Sequence, residues 1–384
     1  MVDPCVSMGG DLSQSSLEER EYLPWLALAR VNGLGNAGCK KVVEYCGDPR
    51  SVLSASEGEL PEVTGLEKEA IEGIRAFLGW DEAAAELRRV SEGGSKIIPF
   101  HHHLYPVRLR MIPDPPPVLY VKGEIHDKDQ QSIAVVGSRS ASDYGLRMTQ
   151  NLSLGLASLG FTVVSGMARG IDGKAHEAAL EGGGRTLAVL GSGVDVAYPL
   201  EHRELYNRIC NKGAVLSELP MGTQPFPFNF PSRNRLISGI SLGVMVVEAT
   251  ERSGSLITAR LALDQGREVF AVPGEAGASR SRGTHQLIRQ GAKLVERVED
   301  VVEEIALQLL SLIGGLKKTA RCTLPADSSP EAKKVYELVQ QGTMQIDEVI
   351  QASGLSPAKV SEILLDLEIK GLLAQLPGKK STVN

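Results

Sequence analysis

Four short segments in the central part of the chain combine glycine, serine and arginine in a way that could bind phosphate. Glycine permits a tight turn and lets backbone N–H groups approach a ligand, while an arginine guanidinium can contact two phosphate oxygens at once. The candidate binding residues are Gly137, Ser138 and Arg139; Gly166 and Arg169; Phe230, Arg233, Asn234 and Arg235; and Ser253, Gly254 and Ser255. One such segment would be a weak signal, whereas several at one edge of a sheet predict an anion site.

The elements around these segments predict that they meet. From Ser132 to about Ile305, short apolar runs alternate with segments of helical length. We predict strands at 132–136, 161–164, 186–190, 214–217, 243–247, 268–272 and 293–295, and crossover helices such as 146–158 and 255–265. The apolar runs are continuous, as in strands covered on both faces. The predicted fold class is α/β, an extended Rossmann-like, doubly wound and mostly parallel sheet whose ligand crevice lies at the carboxyl ends of the strands.

Arginine beside a helix start needs an explanation, because the N-terminus of a helix carries partial positive charge. The segment NFPSRNRLISG (229–239) places Arg233 and Arg235 at a predicted helix start, and Arg139 precedes another helix. An anion among these arginines would remove the repulsion. A structural alternative stays open for glycines such as Gly191, which can simply permit close packing of a helix on a strand.

The spacing of these residues argues against the two commonest nucleotide sites. An NAD site needs Gly-x-Gly-x-x-Gly after the first strand and an acidic residue after the second, but the chain has GSRSASDYG (137–145) and Ser165-Gly166 there. A P-loop needs Gly-x4-Gly-Lys-Ser/Thr, and ARGIDGKA (168–175) has alanine in the first and last of these positions. A polymer with repeated phosphates fits several separate turns better, and no cofactor is expected.

Aromatic residues next to the arginines point to unpaired bases. In PFPFNFPSRNR (225–235), Phe226, Phe228 and Phe230 alternate shortly before Arg233. An aromatic ring beside an arginine can stack a base while the guanidinium neutralises phosphate. The alternative is that the phenylalanines fill the core from an extended segment. We expect one of the three, Phe230, to be exposed.

No group of residues has the spacing of a catalytic or metal site. Asp172 and His176 could share a helix face as an acid–base pair, but such a pair is more often a helix cap plus a structural histidine. The consecutive histidines 101–103 cannot converge on one metal, and the five cysteines include no Cys-x-x-Cys pair. We therefore expect no catalytic residue and no metal.

Helical regions flank the predicted sheet on both sides. At the N-terminal side, Gly33 and Gly35 precede an amphipathic helix with the spacing of a helix-hairpin-helix turn, although a plain helical bundle is the alternative. The predicted domains are a helical SAM or helix-hairpin-helix-like domain (1–90), a Rossmann-like DNA-binding domain (91–313), a linker (314–330) and a winged helix (331–384).

The winged-helix prediction rests on three helical segments followed by a strand and a basic hairpin tip, with Gly354 in the turn before the third helix. That third helix (356–370) carries acidic as well as basic residues, whereas a duplex-reading helix is basic. Only Lys379 and Lys380 in the hairpin suit phosphate. A protein-contact or regulatory role is therefore an alternative to DNA reading.

Composition excludes several classes of protein. The 384 residues, 42% of them hydrophobic, allow more than one domain, and the net charge of −6 excludes a polycation that coats nucleic acid indiscriminately, though not a local basic groove. No apolar run approaches the roughly 20 residues of a membrane span, and no signal-peptide pattern opens the chain. Together with the scattered cysteines, this predicts a reduced cytoplasmic protein.

Several ordered motifs resemble one known family. The stretches VVGSRSASDYG, SGMARGIDGKAHEAALEGGGRTLAVLGSGVDVAYP, FPSRNRLISG and EATERSGSLITARLALDQGREVFAVPG closely resemble the DNA-processing protein DprA (Smf) family over about residues 95–305. The resemblance implies a protein that binds single-stranded DNA without cutting it, protects incoming DNA in natural transformation, helps to load RecA and forms a homodimer through the central domain. It also implies that nine of the candidates surround the family's DNA pocket: Gly137, Ser138, Arg139, Gly166, Arg169, Phe230, Arg233, Asn234 and Arg235.

Two positions depart from that family pattern. Leu200 and Pro227 stand where relatives carry lysine, which predicts weaker or displaced phosphate contact. A second hypothesis is a nucleotide-processing enzyme of the phosphoribohydrolase type on a related Rossmann sheet. Such enzymes carry Pro-Gly-Gly-x-Gly-Thr followed by a glutamate, and SGSLITA (253–259) at the comparable place argues against it.

Overall fold

The computed structural model describes residues 21–55, 60, 65–306, 329–340, 344–369, 373–376 and 380–383. The chain divides into two compact units, Met1–Val302 and Glu303–Asn384, which are described separately. The domain boundaries expected from the sequence stay predictions. Within the described residues, no helix has both the length and the apolar character that crossing a membrane requires.

A nine-stranded sheet forms the centre of the first unit, in the order β1-β2-β6-β5-β4-β3-β7-β8-β9. The strands are β1 (Lys96–Pro99), β2 (Val118–Gly123), β3 (Ser132–Val136), β4 (Thr162–Ser165), β5 (Thr186–Val189), β6 (Ala214–Ser217), β7 (Gly243–Val246), β8 (Glu268–Ala271) and β9 (Lys293–Leu294). Strands β3 to β9 are parallel, which confirms the predicted mostly parallel sheet, and their ends lie within one residue of the prediction. Strands β1 and β2, which pair antiparallel with each other, were not predicted.

Helices connect the strands and cover the sheet. Before residue 307 they are α1 (21–28), α2 (Gly35–Cys46), α3 (Pro49–Leu53), α4 (Lys68–Arg75), α5 (Trp80–Glu92), α6 (Val107–Arg110), α7 (Asp143–Ser158), α8 (Ile171–Glu181), α9 (Arg203–Lys212), α10 (Asn229–Ile240), α11 (Gly254–Asp264), α12 (Arg282–Arg289) and α13 (298–306). Helix α7 begins three residues before the predicted start because Ser142 caps it, accepting a hydrogen bond from the Gly145 N–H at 3.1 Å.

The start of α10 corrects one expectation. The helix begins at Asn229, so Arg233 and Arg235 lie inside it and not at its first residue. Pro231 lies in the first turn of this helix. A missing N–H costs nothing there, since that group would have no partner within the helix.

Alternate residues of the central strands point to different cores. Leu187 and Val189 of β5 pack in one core together with Leu236 of α10, whereas Ala188 packs on the opposite face with Ile209 of α9. Both faces of the sheet are therefore covered, which explains the continuous apolar runs of the sequence. A ligand of this sheet is therefore expected at the ends of the strands and not on its faces.

The strand order places a crevice at the strand ends. After β3 the chain builds β4, β5 and β6 on one side and then crosses to β7 on the other side of β3. The turns that follow β3 and β7 consequently leave the sheet in different directions. Such a switch point is the usual ligand crevice of open α/β sheets.

The helical residues 21–92 belong to the same compact unit as the sheet. Asn36 Nδ2 donates to Glu218 Oε2 at 3.0 Å, and Glu86 Oε1 accepts from the Met221 N–H at 2.8 Å, so these helices are tied to the loop after β6. Gly33 and Gly35 have φ of 74° and 58°, values that only glycine adopts freely, as the turn before α2 requires. Whether this turn contacts DNA stays a prediction.

The second unit has the element order of a winged helix. It contains α14 (Pro330–Gln340), β10 (Met344–Gln345), α15 (Ile346–Ser353), α16 (Pro357–Ile369), β11 (Leu373–Leu376) and β12 (Lys380–Val383), with a three-stranded sheet in the order β10-β12-β11. Val335, Val349 and Leu367 are among the residues of its core. Gly354 has φ of 68° in the turn before the third helix, as expected.

The charged surface of that unit is described only in part. Lys359 of α16 donates to Glu362 Oε2 at 3.0 Å, so one lysine of the third helix is balanced by an acid of the same helix. Lys379 lies outside the described residues, as do residues 314–328 of the predicted linker, and the structure does not describe the side chain of Lys380. The DNA-contacting and regulatory roles of this domain both stay predictions.

Candidate nucleic-acid interface

A cavity of about 560 Å³ opens at the carboxyl ends of β3 and β7. Nine of the twelve candidate residues line it: Gly137, Ser138, Arg139, Phe230, Arg233, Asn234, Ser253, Gly254 and Ser255. Its charged lining residues are two arginines, Arg139 and Arg233, and one acid, Asp172. The cavity therefore has the position predicted from the sequence and a net positive lining.

The turn after β3 is anchored to the neighbouring strand. The Ser138 N–H donates to the Glu248 carbonyl at 2.8 Å, just beyond the end of β7. A Cβ on Gly137 would lie only 2.6 Å from Ile171, so a side chain there would push α8 away. These contacts hold the turn in a fixed place and leave the next side chain, the exposed Arg139, at the mouth of the cavity.

Arg139 and Arg233 lie around one aromatic ring. The guanidinium carbons of Arg139 and Arg233 are 5.4 Å and 6.0 Å from the centre of the Phe230 ring. Tyr198 packs against the same ring with centroids 5.7 Å apart, and a Cβ on Gly191 would lie 2.9 Å from it. In the described part of the chain no acid forms an ion pair with Arg139, so its charge is available to a ligand.

Arg233 is the buried charge of the site. Its Nη1 donates to the carbonyl of Gly166 at 2.9 Å and to that of Val189, which places the guanidinium across the ends of β4 and β5. Burial lowers the pKa of Arg233 to about 10, against the opposing effect of the nearby Asp172 carboxylate, so the group remains charged at neutral pH. Gly166 makes room for both side chains, because a Cβ there would lie 2.6 Å from Arg233 and 2.8 Å from Asp172.

The N-terminus of α11 closes another side of the cavity. Ser253 caps this helix by accepting from the Ser255 N–H at 3.4 Å, and the two hydroxyls lie 2.8 Å apart. Thr258, one turn further, also lines the cavity. Hydroxyl donors at the positive end of an 11-residue helix favour an anion, so this wall complements the two arginines.

The exposure of the three phenylalanines differs from the prediction. Phe226 and Phe228 are 49% and 71% exposed, whereas Phe230, the residue expected at the surface, is half-buried. The reason is the early start of α10, which places Phe230 in its first turn, where the ring turns inward to Gly191 and Tyr198. The two other rings precede the helix and remain outside.

Two predicted arginines lie elsewhere. Arg169 is exposed and forms an ion pair with Glu201, with Nη2 and Oε2 2.9 Å apart, and it does not line the cavity. Arg235 points away from the cavity, pairing through Nε with Asp114 at 3.0 Å and through Nη2 with Glu218. The structure thus brings Arg139 and Arg233 together and separates them from Arg235, whose DNA contact stays a prediction.

Asp172 and His176 do not form an acid–base pair in this structure. Asp172, in the first turn of α8, accepts from the Ala168 N–H at 3.4 Å, and burial raises its pKa against the effect of Arg233. His176 is fully buried with Nδ1 2.6 Å from the Thr186 hydroxyl, and burial lowers its pKa to about 3. The structural histidine is therefore supported, whereas the expected helix cap is not, because Asp172 bonds to the loop before α8 and no side chain caps that helix.

A second cavity, of about 670 Å³, has a different chemistry. Its charged lining residues are Glu248, Glu275 and Arg280, an excess of negative charge that does not suit phosphate. Among the described side chains, no three of His, Cys, Asp or Glu lie close enough to bind a metal.

Tyr198 lines the first cavity but was not predicted as a site residue from the sequence, although it is an aromatic residue that follows a glycine segment at a strand end.

Comparison with known proteins agrees with the fold and identifies the family. The family model for DNA recombination-mediator protein A matches residues 96–306, and that for the DprA winged helix domain matches residues 319–379. The protein Smf of Synechocystis sp. is 34% identical, over 94% of this chain and 98% of its own. The X-ray structure of DNA processing protein A from Streptococcus pneumoniae has a TM-score of 0.63 and 37% identity, covering 73% of this chain and 97% of that one.

A structure of DNA processing protein A from Helicobacter pylori, described for its single-stranded DNA binding mode, has a TM-score of 0.50 and 28% identity, covering 56% of this chain and 96% of that one. The strand-end glycines and the Phe230–Arg233 segment that carried the resemblance in the sequence lie within the range of the first family match. By both family matches and by nearly full-length similarity to a curated relative, the chain belongs to the DNA recombination-mediator protein A (DprA, or Smf) family.

Proposed function

We propose that this protein is a cytoplasmic recombination mediator that binds single-stranded DNA in the cavity at the carboxyl ends of β3 and β7. One observation carries the proposal: Arg139 and the buried Arg233 both lie against the ring of Phe230, beside the N-terminus of α11. Charge for phosphate and an aromatic ring for a base are thus combined within one cavity. The Helicobacter pylori relative, described for its single-stranded DNA binding mode, supports the same assignment.

The geometry favours unpaired over paired DNA. A base in a duplex is stacked and hydrogen-bonded to its partner, so it cannot enter a cavity whose aromatic ring is half-buried between two arginines and Tyr198. We infer that one base enters the cavity while the neighbouring phosphates contact Arg139 and the first turn of α11.

Oligonucleotide binding tests the proposal directly. We expect Arg139→Ala to weaken binding of a fluorescent 20-nucleotide oligothymidylate about tenfold and to reduce the slope of log K against log salt by roughly 0.7, the value for one phosphate contact on a single strand. Arg208→Ala is the matched control, since Arg208 is an exposed arginine of α9 that does not line the cavity. Equal binding by wild type and both variants would overturn the proposal.

We further propose that the protein binds DNA without cutting it or releasing bases. Asp172, the carboxylate of the cavity, lies beside Arg233 and accepts a backbone N–H, so it is engaged in structure. The competing assignment, a phosphoribohydrolase, predicts free base when the pure protein is incubated with nucleoside monophosphates. Release of base that is lost in Asp172→Asn would replace our proposal with that one.

Three further proposed roles are DNA protection, RecA loading and dimer formation. We propose that the bound DNA is protected from nucleases, that the protein helps to load RecA onto it during natural transformation, and that it forms a homodimer through the Rossmann-like domain. The family name of recombination mediator supports a part in DNA recombination, and exposed Leu263 and Leu294 of the central domain are candidate dimer contacts. Sedimentation of the full chain, and RecA-dependent strand exchange with and without it, test these roles.

The replacement of two lysines should affect affinity. Leu200 is 78% exposed and Pro227 lines the cavity, so neither position supplies a charge at the DNA site. We propose that Pro227→Lys tightens binding and steepens its salt dependence, because a cation would be added to the wall of the cavity. Unchanged affinity and slope in that variant would show that position 227 does not face the DNA.

A further inference from the structure

Two phenylalanines outside the cavity form an exposed aromatic stack. Phe226 and Phe228 are 49% and 71% exposed, and their rings are parallel within 6° with centroids 5.6 Å apart. Exposed aromatic side chains of this size lose the favourable free energy of burial. A stack that remains in solvent beside a ligand cavity therefore suggests a binding surface.

The backbone holds this stack in place. Pro225 and Pro227 restrict the chain on both sides of Phe226, and the Asn229 N–H donates to the Phe226 carbonyl at 3.0 Å. The Asn229 side chain, which is buried, donates to the Gln224 carbonyl at 3.3 Å. Because the segment is already ordered, a ligand that binds the rings does not have to order the backbone first.

The stack stands at the rim of the DNA cavity. Pro225 and Pro227 line the cavity themselves, and Phe230, two residues beyond Phe228, lies inside it. The three rings thus follow one short segment from the rim to the interior. A cavity of about 560 Å³ has room for only part of a strand, so longer DNA has to cross the rim.

We propose that the Phe226–Phe228 stack is a second base-stacking platform, which binds unpaired bases of the strand where it leaves the cavity. The inference rests on the proposed function, because the strand is placed at the rim by its contacts with Arg139 and Phe230. Every base has a flat π face, so such a platform adds affinity without selecting a sequence. Two of the three charged residues that line the cavity are arginines, which suits a polyanion.

The proposal is tested by removing the two rings from the protein and, separately, the bases from the DNA. The double variant Phe226→Leu/Phe228→Leu keeps apolar bulk but removes both rings. We expect it to bind a 20-nucleotide oligothymidylate about tenfold more weakly than wild type, within the range known for base–aromatic stacks. On an oligonucleotide of equal length made of abasic sites, variant and wild type should bind equally. An equal loss on both oligonucleotides would overturn the stacking role.

Further variants distinguish a failure of the stacking proposal from a failure of the proposed function. Phe228→Tyr keeps an aromatic face and should retain wild-type affinity, and the double leucine variant should keep the wild-type salt slope because no phosphate contact is lost. If Arg139→Ala weakens binding but the leucine variant does not, the platform fails and the cavity stands. If neither variant weakens binding, the proposed function fails as well. A leucine variant that binds normally but loses self-association in sedimentation would reassign the stack to a contact between copies of this chain.

Discussion

Arg185, at the amino ends of the parallel strands, and the cavity arginines Arg139 and Arg233, at the carboxyl ends, have different partners. At the amino ends of the strands, Arg185 donates from Nε and Nη2 to the two oxygens of Asp129, each at 2.8 Å, and to the carbonyls of Glu124 and Lys212 at 2.6 Å and 3.1 Å. At the carboxyl ends, Arg139 and Arg233 form no ion pair in the part of the chain that the structure describes; Arg233 bonds to carbonyls, and Arg139 stacks on Phe230.

This difference distinguishes an arginine whose charge stabilises the fold from an arginine whose charge can bind a ligand. At the amino end the positive charge is neutralised inside the fold, by an aspartate that also accepts from the Thr162 hydroxyl at 2.8 Å. At the carboxyl ends, Arg139 has no acidic partner among the described residues, so its charge is left for a ligand, whereas Arg235 is paired with Glu218 just after β6. The number of arginines in a region is therefore a poor guide to a phosphate site, and the presence or absence of a carboxylate partner is a better one.

The largest expected effect is at the amino end. Arg185→Ala leaves the buried Asp129 carboxylate without its partner, and the side chains of the pair are only 13% and 3% exposed. We expect a loss of about 3–5 kcal/mol in the free energy of unfolding, measured by urea denaturation. DNA affinity per folded molecule should not change. A stable variant with impaired binding would contradict the division between the two ends.

Arg235 provides the next test, because the sequence assigned it to the DNA site and the structure gives it acidic partners. Burial raises the pKa of Glu218, and Arg235 opposes that shift, so Arg235→Ala should destabilise the fold by roughly 2–3 kcal/mol. Oligothymidylate affinity should stay within about twofold of wild type. An affinity loss equal to that of Arg139→Ala would return Arg235 to the DNA site.

The pH dependence of stability tests the environment of His176, which contacts Thr186, the residue after Arg185. Its pKa of about 3 in the folded protein lies below the value of 6.5 in the unfolded chain, so the unfolded chain binds an extra proton between these values. Stability from this group is complete above pH 6.5 and is lost as the pH falls toward 3. We expect His176→Gln to reduce the pH slope of unfolding free energy by up to ~1.4 kcal/mol per unit in that window. An unchanged slope would contradict the assignment.

The smallest effect should come from an exposed pair near the cavity. Glu201 neutralises Arg169 at the surface, so Glu201→Gln would leave that arginine with its charge unbalanced. We expect oligothymidylate to bind about two- to threefold more tightly at low salt, with a slightly steeper salt slope. Glu204→Gln, in α9, changes the total charge equally and should have less effect. Equal effects of the two variants would mean that Arg169 lies away from the DNA path.

Much of the fold followed from the sequence because its signals are local. Continuous apolar runs identified β3 to β9, and the residues after β3 and β7 were placed at one edge by the geometry of parallel sheets alone. Strand β2 was not predicted: VLYVKG directly follows the prolines 115–117, a residue type that is rare within sheets, and its partner β1 has only four residues.

The site was predicted less completely because it depends on how one helix sits on the sheet. Arg233 and Arg235 have the same chemistry, and only the register of α10 determines which of them reaches the ends of β4 and β5. The same register turns Phe230 inward and leaves Phe228 in solvent. No local pattern encodes such a choice, since it is fixed by contacts with residues far away in the chain.

The register of α10 limits insertions and deletions within the helix. Successive residues of an α-helix turn by about 100°, so Arg233 and Arg235 lie roughly 200° apart and contact opposite neighbours. Inserting or deleting one residue between Phe230 and Arg233 would rotate every later side chain and withdraw the buried arginine from the cavity. A change in the length of this segment should therefore disturb the cavity more than a substitution at any one exposed position of α10, because it moves all the later side chains together.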